Sequence, residues 1–170
     1  MFDLIFEAVR DSMYMLVAST AIAYVIGLPL GVLLVVTDKN GISPNAPINF
    51  SVGVVVNVLR SVPFLILMIA IQPFTKLVAG TTIGNDATIV VLVVASAPFI
   101  ARLVESSMKE VDPGVIEAAQ SMGASKVTIV TKVILAEAKP SILTGAVVAS
   151  ITILGYSAMA GILGGSGLGS

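Results

Sequence analysis

A chain can only do the chemistry its side chains allow, and here the usual reagents are missing. The 170 residues contain no His and no Cys, which removes imidazole bases, thiol nucleophiles and zinc sites built on them. Ten carboxylates remain, but most fall between the long apolar runs and form no convergent acid–base set. No G-x-x-x-x-G-K-[ST] run is present, so the chain has no phosphate-cradling loop of its own. Catalysis within this chain is not expected. The polar residues that interrupt the apolar runs are few: Asn57, Arg60 and Ser61 in one stretch, and Tyr156, Ser157 and Met159 beside glycines in another. Their spacing sets Asn57 and Ser61 on the Arg60 side of a helix. A guanidinium in such a run either snorkels to the headgroups or faces a water-filled path. Met159 offers a soft surface to an apolar ligand, and with Tyr156 it is a candidate to line or gate a pore. The same residues also suit plain bundle packing.

The elements that position these side chains follow from composition. Hydrophobic residues make up 56% of the chain and charged residues 11%, against about 25% charged in a soluble domain. So few charges cannot cover a water-exposed surface. A disordered chain, a disulfide scaffold and, with a net charge of −1, a nucleic-acid binder are excluded on the same arithmetic. The expected fold is an all-α polytopic transmembrane helix bundle in the lipid bilayer, a single domain over residues 1–170.

Charge-free runs locate four spans, because about 20 helical residues cross the hydrocarbon and charges there are costly. The clearest is 12–37, 26 residues without a charge, too long and too acidic at its start for a signal peptide. The others are 52–72 with Arg60 near its cytoplasmic end, 87–104, and about 140–163. Alternating the spans puts Lys39, Arg60, Arg102, Lys109, Lys126, Lys132 and Lys139 on one side and only Arg10 and Lys76 on the other. The positive-inside rule therefore places the N-terminus outside and residues 105–139 in the cytoplasm. Gly27 and Gly31, four apart, offer a neighbouring helix a close approach. Pro29, Pro63 and Pro98 are expected to kink their spans.

Within 105–139 two short helices are expected. Asp112 is a good N-cap, Pro113 fits the first helical position, and Gly123 fits the C′ position. Val115, Ala118, Ala119 and Met122 recur at helical spacing, with Glu117, Gln120 and Ser121 opposite. Ser125 can cap a second helix running to Lys139, before Pro140 opens the last span. Such a short amphipathic helix is marginal alone. It must lie on the membrane or the bundle, or dock into a partner's groove.

Glu117-Ala118-Ala119, three residues, Gly123, nine residues, then Val133-Ile134-Leu135 resembles the signature loop of ABC-importer permeases. That signature continues to Ile, any residue, Leu-Pro, so Val133 and Ala136 are substitutions. Asn57-Val-Leu-Arg60-Ser-Val-Pro63-Phe, Ala97-Pro98-Phe99-Ile-Ala-Arg102 and Gly155-Tyr156-Ser157-Ala-Met159-Ala-Gly161 are similar to the methionine-uptake branch of that family. The resemblance implies a permease subunit in a bacterial inner membrane. Two copies would enclose a pathway, two P-loop ATPase subunits would sit on the cytoplasmic side, and a substrate-binding protein would act outside. ATP and Mg would belong to the ATPase, with no cofactor in this chain. Glu117, Ala118, Ala119, Met122 and Gly123 would form the coupling loop. The family carries one further span after the Gly-rich stretch that ends this sequence. The rival reading is a passive channel or structural membrane subunit with no nucleotide-driven partner.

Overall fold

The structure, a computed structural model, describes residues 2–167, and every regular element in them is helical. Seven α-helices follow in order: α1 (Phe2–Thr37), α2 (Ala46–Ser61), α3 (Phe64–Ala70), α4 (Gln72–Ala79), α5 (Asn85–Lys109), α6 (Pro113–Ser121) and α7 (Lys126–Ser157). A 3-10 turn over Ala160–Leu163 closes the series. Helices are what an apolar chain in lipid can form, because each backbone donor finds its acceptor within the segment.

Three helices, α1, α5 and α7, are long and apolar enough to cross a membrane singly. Of their apolar stretches, that of α5 is 67% buried, whereas those of α1 and α7 are 28% and 22% buried. Thus α5 is the central post. It packs on α1, α2, α4 and α7. One cluster around Ala97, Ile100, Val104 and Met108 of α5 takes Ala23 from α1 and Ala149 from α7. A second joins Met15 of α1, Leu92 of α5 and Ile153 of α7.

The α1–α5 contact is made by the two glycines singled out above. A Cβ on Gly27 would sit 2.8 Å from the Ala97 carbonyl oxygen, and one on Gly31 would sit 2.6 Å from that of Ala101. Only hydrogen fits there. The two helices run parallel, since Gly27 faces Ala97 and Ile100 while Gly31 faces Ala101 and Val104.

The second span departs from the expected straight helix over 52–72. It starts earlier, with Asn45 as N-cap accepting a hydrogen bond from the Ile48 N–H at 3.2 Å. It then breaks at Val62–Pro63, and α2 and α3 meet at a bend of 108°. The cause is local: a residue before proline is driven to extended backbone, and Val62 has φ −80° and ψ 125°. Arg60 consequently lies in the last turn of α2, beside the break and about 21 Å along the helix axis from Ala46.

The last span also differs. The expected second cytoplasmic helix and the span after it form one rod, α7, and Pro140 lies inside it instead of opening it. Its first turns include a π-helical stretch, Ile129–Ile134. The rod ends at Ser157, short of the expected 163, where glycines permit a turn and Gly164 takes φ +64°. The following segment returns to the bundle, where the Ser166 N–H donates to Asn85 Oδ1 at 2.9 Å.

Gly31→Ala is expected to destabilise the bundle by about 1–3 kcal/mol through overpacking, read as a lower thermal midpoint in detergent. Gly155→Ala is the control: a Cβ there meets nothing within 4 Å, and its helical position makes the substitution neutral to stabilising.

Candidate functional site

Residues 110–125 form a short arm between α5 and α7, and each end is chemically specified. Asp112 Oδ1 accepts from the Gly114 N–H at 2.7 Å, satisfying a free donor at the start of α6. At the other end the Gly123 N–H bonds the Gln120 carbonyl at 2.9 Å and the Ala124 N–H bonds that of Ala119 at 3.1 Å. This pair of bonds is the Schellman motif, which needs a left-handed residue between them. Gly123 supplies it with φ +76°. Open space surrounds the site of a Cβ there, so backbone strain alone demands glycine. Ser125 then caps α7, its Oγ accepting from the Thr128 N–H at 3.2 Å.

The buried face of α6 is not the expected stripe. Ile116 and Ala119 pack against the bundle with Val111 and Ala124. Val115, Ala118 and Met122 face away, with Val115 41% and Met122 86% exposed. Residues 116, 119 and 123 form one row of the helix and 115, 118 and 122 the next. Tethers at both ends decide which row meets the bundle. Glu117 and Gln120 border a cavity of about 630 Å³. Asp38, Lys39 and Lys109 contribute to its other walls.

Beside that cavity runs a chain of charges. Lys109 Nζ donates to Asp38 Oδ2 at 3.0 Å and to Glu105 Oε1 at 2.8 Å. The other Glu105 oxygen accepts from Arg102 Nη1, and Arg102 Nη2 donates to Asn57 Oδ1 at 2.9 Å. Glu105 is only 8% exposed, and both of its oxygens are engaged. The network ties the end of α1 and the middle of α2 to α5. Sequence reading treated these charges one by one, although the i,i+3 and i,i+4 spacing of Arg102, Glu105 and Lys109 was visible.

The candidate pathway residues separate. Arg60 and Tyr156 line one cavity of about 220 Å³, and Tyr156 stacks on Phe64 with ring centres 4.6 Å apart. Asn57 belongs to the Arg102 network. The Ser61 hydroxyl donates to the Asn57 carbonyl at 2.8 Å, and that of buried Ser157 to the Leu154 carbonyl at 2.8 Å. Met159 is exposed in the turn beyond α7.

A helix bundle with one broken span, and a short capped helix slung from its end, defines a multi-pass membrane component. The chain belongs to the family described as binding-protein-dependent transport system inner membrane component, whose model matches residues 27–170. It is 50% identical over 167 residues to a probable D-methionine transport system permease protein of Vibrio cholerae, covering 98% of this chain and 74% of that protein. The D-methionine transport system permease protein of Escherichia coli K12 is 46% identical over 158 residues, covering 93% of this chain and 73% of that protein. Among solved structures, a chain of the MetNI methionine ABC transporter in inward facing conformations matches with a TM-score of 0.96. Its identity is 46%, over 99% of this chain and 78% of that one. An amino acid ABC transporter shares the fold, with a TM-score of 0.81 at 21% identity over 99% of this chain and 75% of that one.

The hydrogen bond from Lys109, with a second from the Asn40 N–H, holds the Asp38 carboxyl below its usual range. A carboxylate whose pKa is depressed on folding stabilises the fold above its unfolded pKa and loses that effect as pH falls through the folded value. The thermal midpoint of Asp38→Asn is therefore expected to lie below wild type at pH 7. The difference should shrink as pH falls through the carboxylate range and vanish beneath it.

Proposed function

We propose that this chain is the membrane-spanning subunit of an ATP-driven methionine importer. It acts as a homodimer with two P-loop ATPase subunits in the cytoplasm and a substrate-binding protein outside. Similarity to D-methionine permeases over nearly the whole chain supports the substrate. The observation that carries the mechanism is α6, a helix fixed at both ends whose second apolar row has no cover among the described residues.

In this reading Val115, Ala118 and Met122 enter a cleft on the ATPase, and Ala119 keeps the helix close to its own bundle. Glu117, exposed beside them, meets a basic group or backbone donor of the partner. Closure of the ATPase pair pushes α6. Because α6 joins α5 and α7 through short, specified turns, the push reaches the central post and the span that packs against it. Substrate passes by Arg60 and Tyr156, with Met159 lining the outer part of the route. Asn57 ties α2 to α5 beside it, and Ser61 and Ser157 add hydroxyls bonded back to their own helices. In this reading α6 is cytoplasmic and the N-terminus lies outside, which the lysines of the 105–139 segment support.

Gly123→Val tests the coupling. The variant is expected to reach the membrane, co-purify poorly with the ATPase and fail to link hydrolysis to methionine uptake. Wild-type co-purification with intact uptake would contradict the docking role. The orientation is tested by Glu110→Cys, clean because the sequence has no Cys. An impermeant maleimide should label it only after cells are opened, and labelling in intact cells would reverse the topology.

A further inference from the structure

Two arginines lie along the spans, Arg102 partly buried on α5 and Arg60 exposed in the last turn of α2, and their situations are opposite. Arg102 is neutralised by Glu105 and held by Asn57. Arg60, among the described residues, has no ion pair and no hydrogen bond. Instead it lines the cavity of about 220 Å³ together with Phe64, Leu67, Phe99, Thr152 and Tyr156. Of the described residues around that cavity none is acidic.

The depth of the cavity matters. It meets α5 at Ala95 and Phe99, about 15 and 21 Å from Asn85 in a helix about 37 Å long. That is the middle of the span. An unpaired guanidinium at such depth is costly and marks a pathway or ligand site. The backbone agrees independently. The α2–α3 break at Val62–Pro63 borders the same cavity, and non-helical backbone at membrane depth is tolerated where it is buried in protein or lines a water-filled space. A volume of about 220 Å³ holds roughly seven waters' worth of liquid, enough for one small amino acid.

We propose that this cavity is a substrate station within the membrane, in which Arg60 binds the carboxylate of the amino acid in transit. The inference rests on the importer reading above and names the group that recognises its cargo there. Among the described residues Arg60 supplies the only charge lining the cavity, so the site selects an anionic group, and the guanidinium fork matches a carboxylate in two parallel hydrogen bonds. The substrate ammonium turns toward hydroxyl oxygens: Thr152 Oγ1 spends its proton on the Val148 carbonyl at 2.9 Å and keeps lone pairs to accept. The stacked Phe64 and Tyr156 rings, with Phe99, give a thioether the aromatic surroundings that sulfur favours. With no fixed acid beside it, Arg60 has no internal competitor for the carboxylate. With one salt bridge and a small apolar wall, the station holds cargo weakly enough to pass it on.

The test is uptake of radiolabelled methionine by the complete complex, with its ATPase and binding protein, in proteoliposomes. Arg60→Met keeps the apolar length and loses the charge, while Arg60→Lys keeps the charge. Among complexes that assemble with the ATPase at wild-type yield, Arg60→Met is expected to lose at least tenfold in uptake rate, with Arg60→Lys restoring a large part. Wild-type uptake by Arg60→Met would remove the guanidinium from the route. Equal loss in both variants, or failure of both to assemble, would make Arg60 a packing residue. Either result overturns the proposal while leaving the importer reading intact. No methionine uptake by the wild-type complex would overturn that reading, and this inference with it.

Discussion

The approach of α1 to α5 across Gly27 and Gly31 is the constraint on which the remaining geometry depends. Between helices in lipid there is no hydrophobic driving force, so association rests on close van der Waals contact and on hydrogen bonds. At these two positions the backbones are near enough that a Cβ would overlap carbonyl oxygens of α5. The seam also sets register. Asp38 follows directly on α1 and Lys109 ends α5, and they meet at 3.0 Å because the parallel helices are locked in step a few turns earlier. From Lys109 the charge chain continues through Glu105 and Arg102 to Asn57. The placement of α2, and hence of Arg60, is thus referred back to the seam.

The arm that carries α6 depends on the same post. It leaves from the end of α5 and re-enters through α7, whose first turns contribute Ile129 and Ile134 to the cluster around α5. A helix of nine residues has little stability of its own. Here the Asp112 cap, the Gly123 turn and the Ser125 cap define its ends, and Ile116 and Ala119 fix one row against the bundle. What is left is an apolar row presented to the outside on a helix that cannot easily rotate. Under the docking proposal, a load on the exposed row is carried to α5 and α7 through these two tethers.

Much of this was legible in the sequence, because it rests on local chemistry. Asp112, Pro113, Gly123 and Ser125 each satisfy a backbone requirement within a few residues, and the structure uses each as expected. The Gly27–Gly31 pair announced a close helix contact and makes one. The failures arose where tertiary context decides. Pro63 breaks its span by 108°, whereas Pro29, Pro98 and Pro140 are carried inside continuous helices, and no local rule separates these cases. The apolar period of α6 was real, but two adjacent rows are apolar. The tethers to α5 and α7 chose between them. Arg60 and Tyr156 were each candidates for a pathway, but they lie 96 positions apart and no local pattern brings them to one cavity.

The central claim is that the outward row of α6 is a docking face for the partner ATPase, and hydrogen exchange reads it directly. Exchange at residues 113–122 is compared between the permease reconstituted alone and the complete complex in the same lipid. The account predicts that amides of α6 become strongly protected only when the ATPase is bound, while those of α5 at the α1 seam are protected in both states. Equal exchange in α6 with and without the ATPase would contradict it.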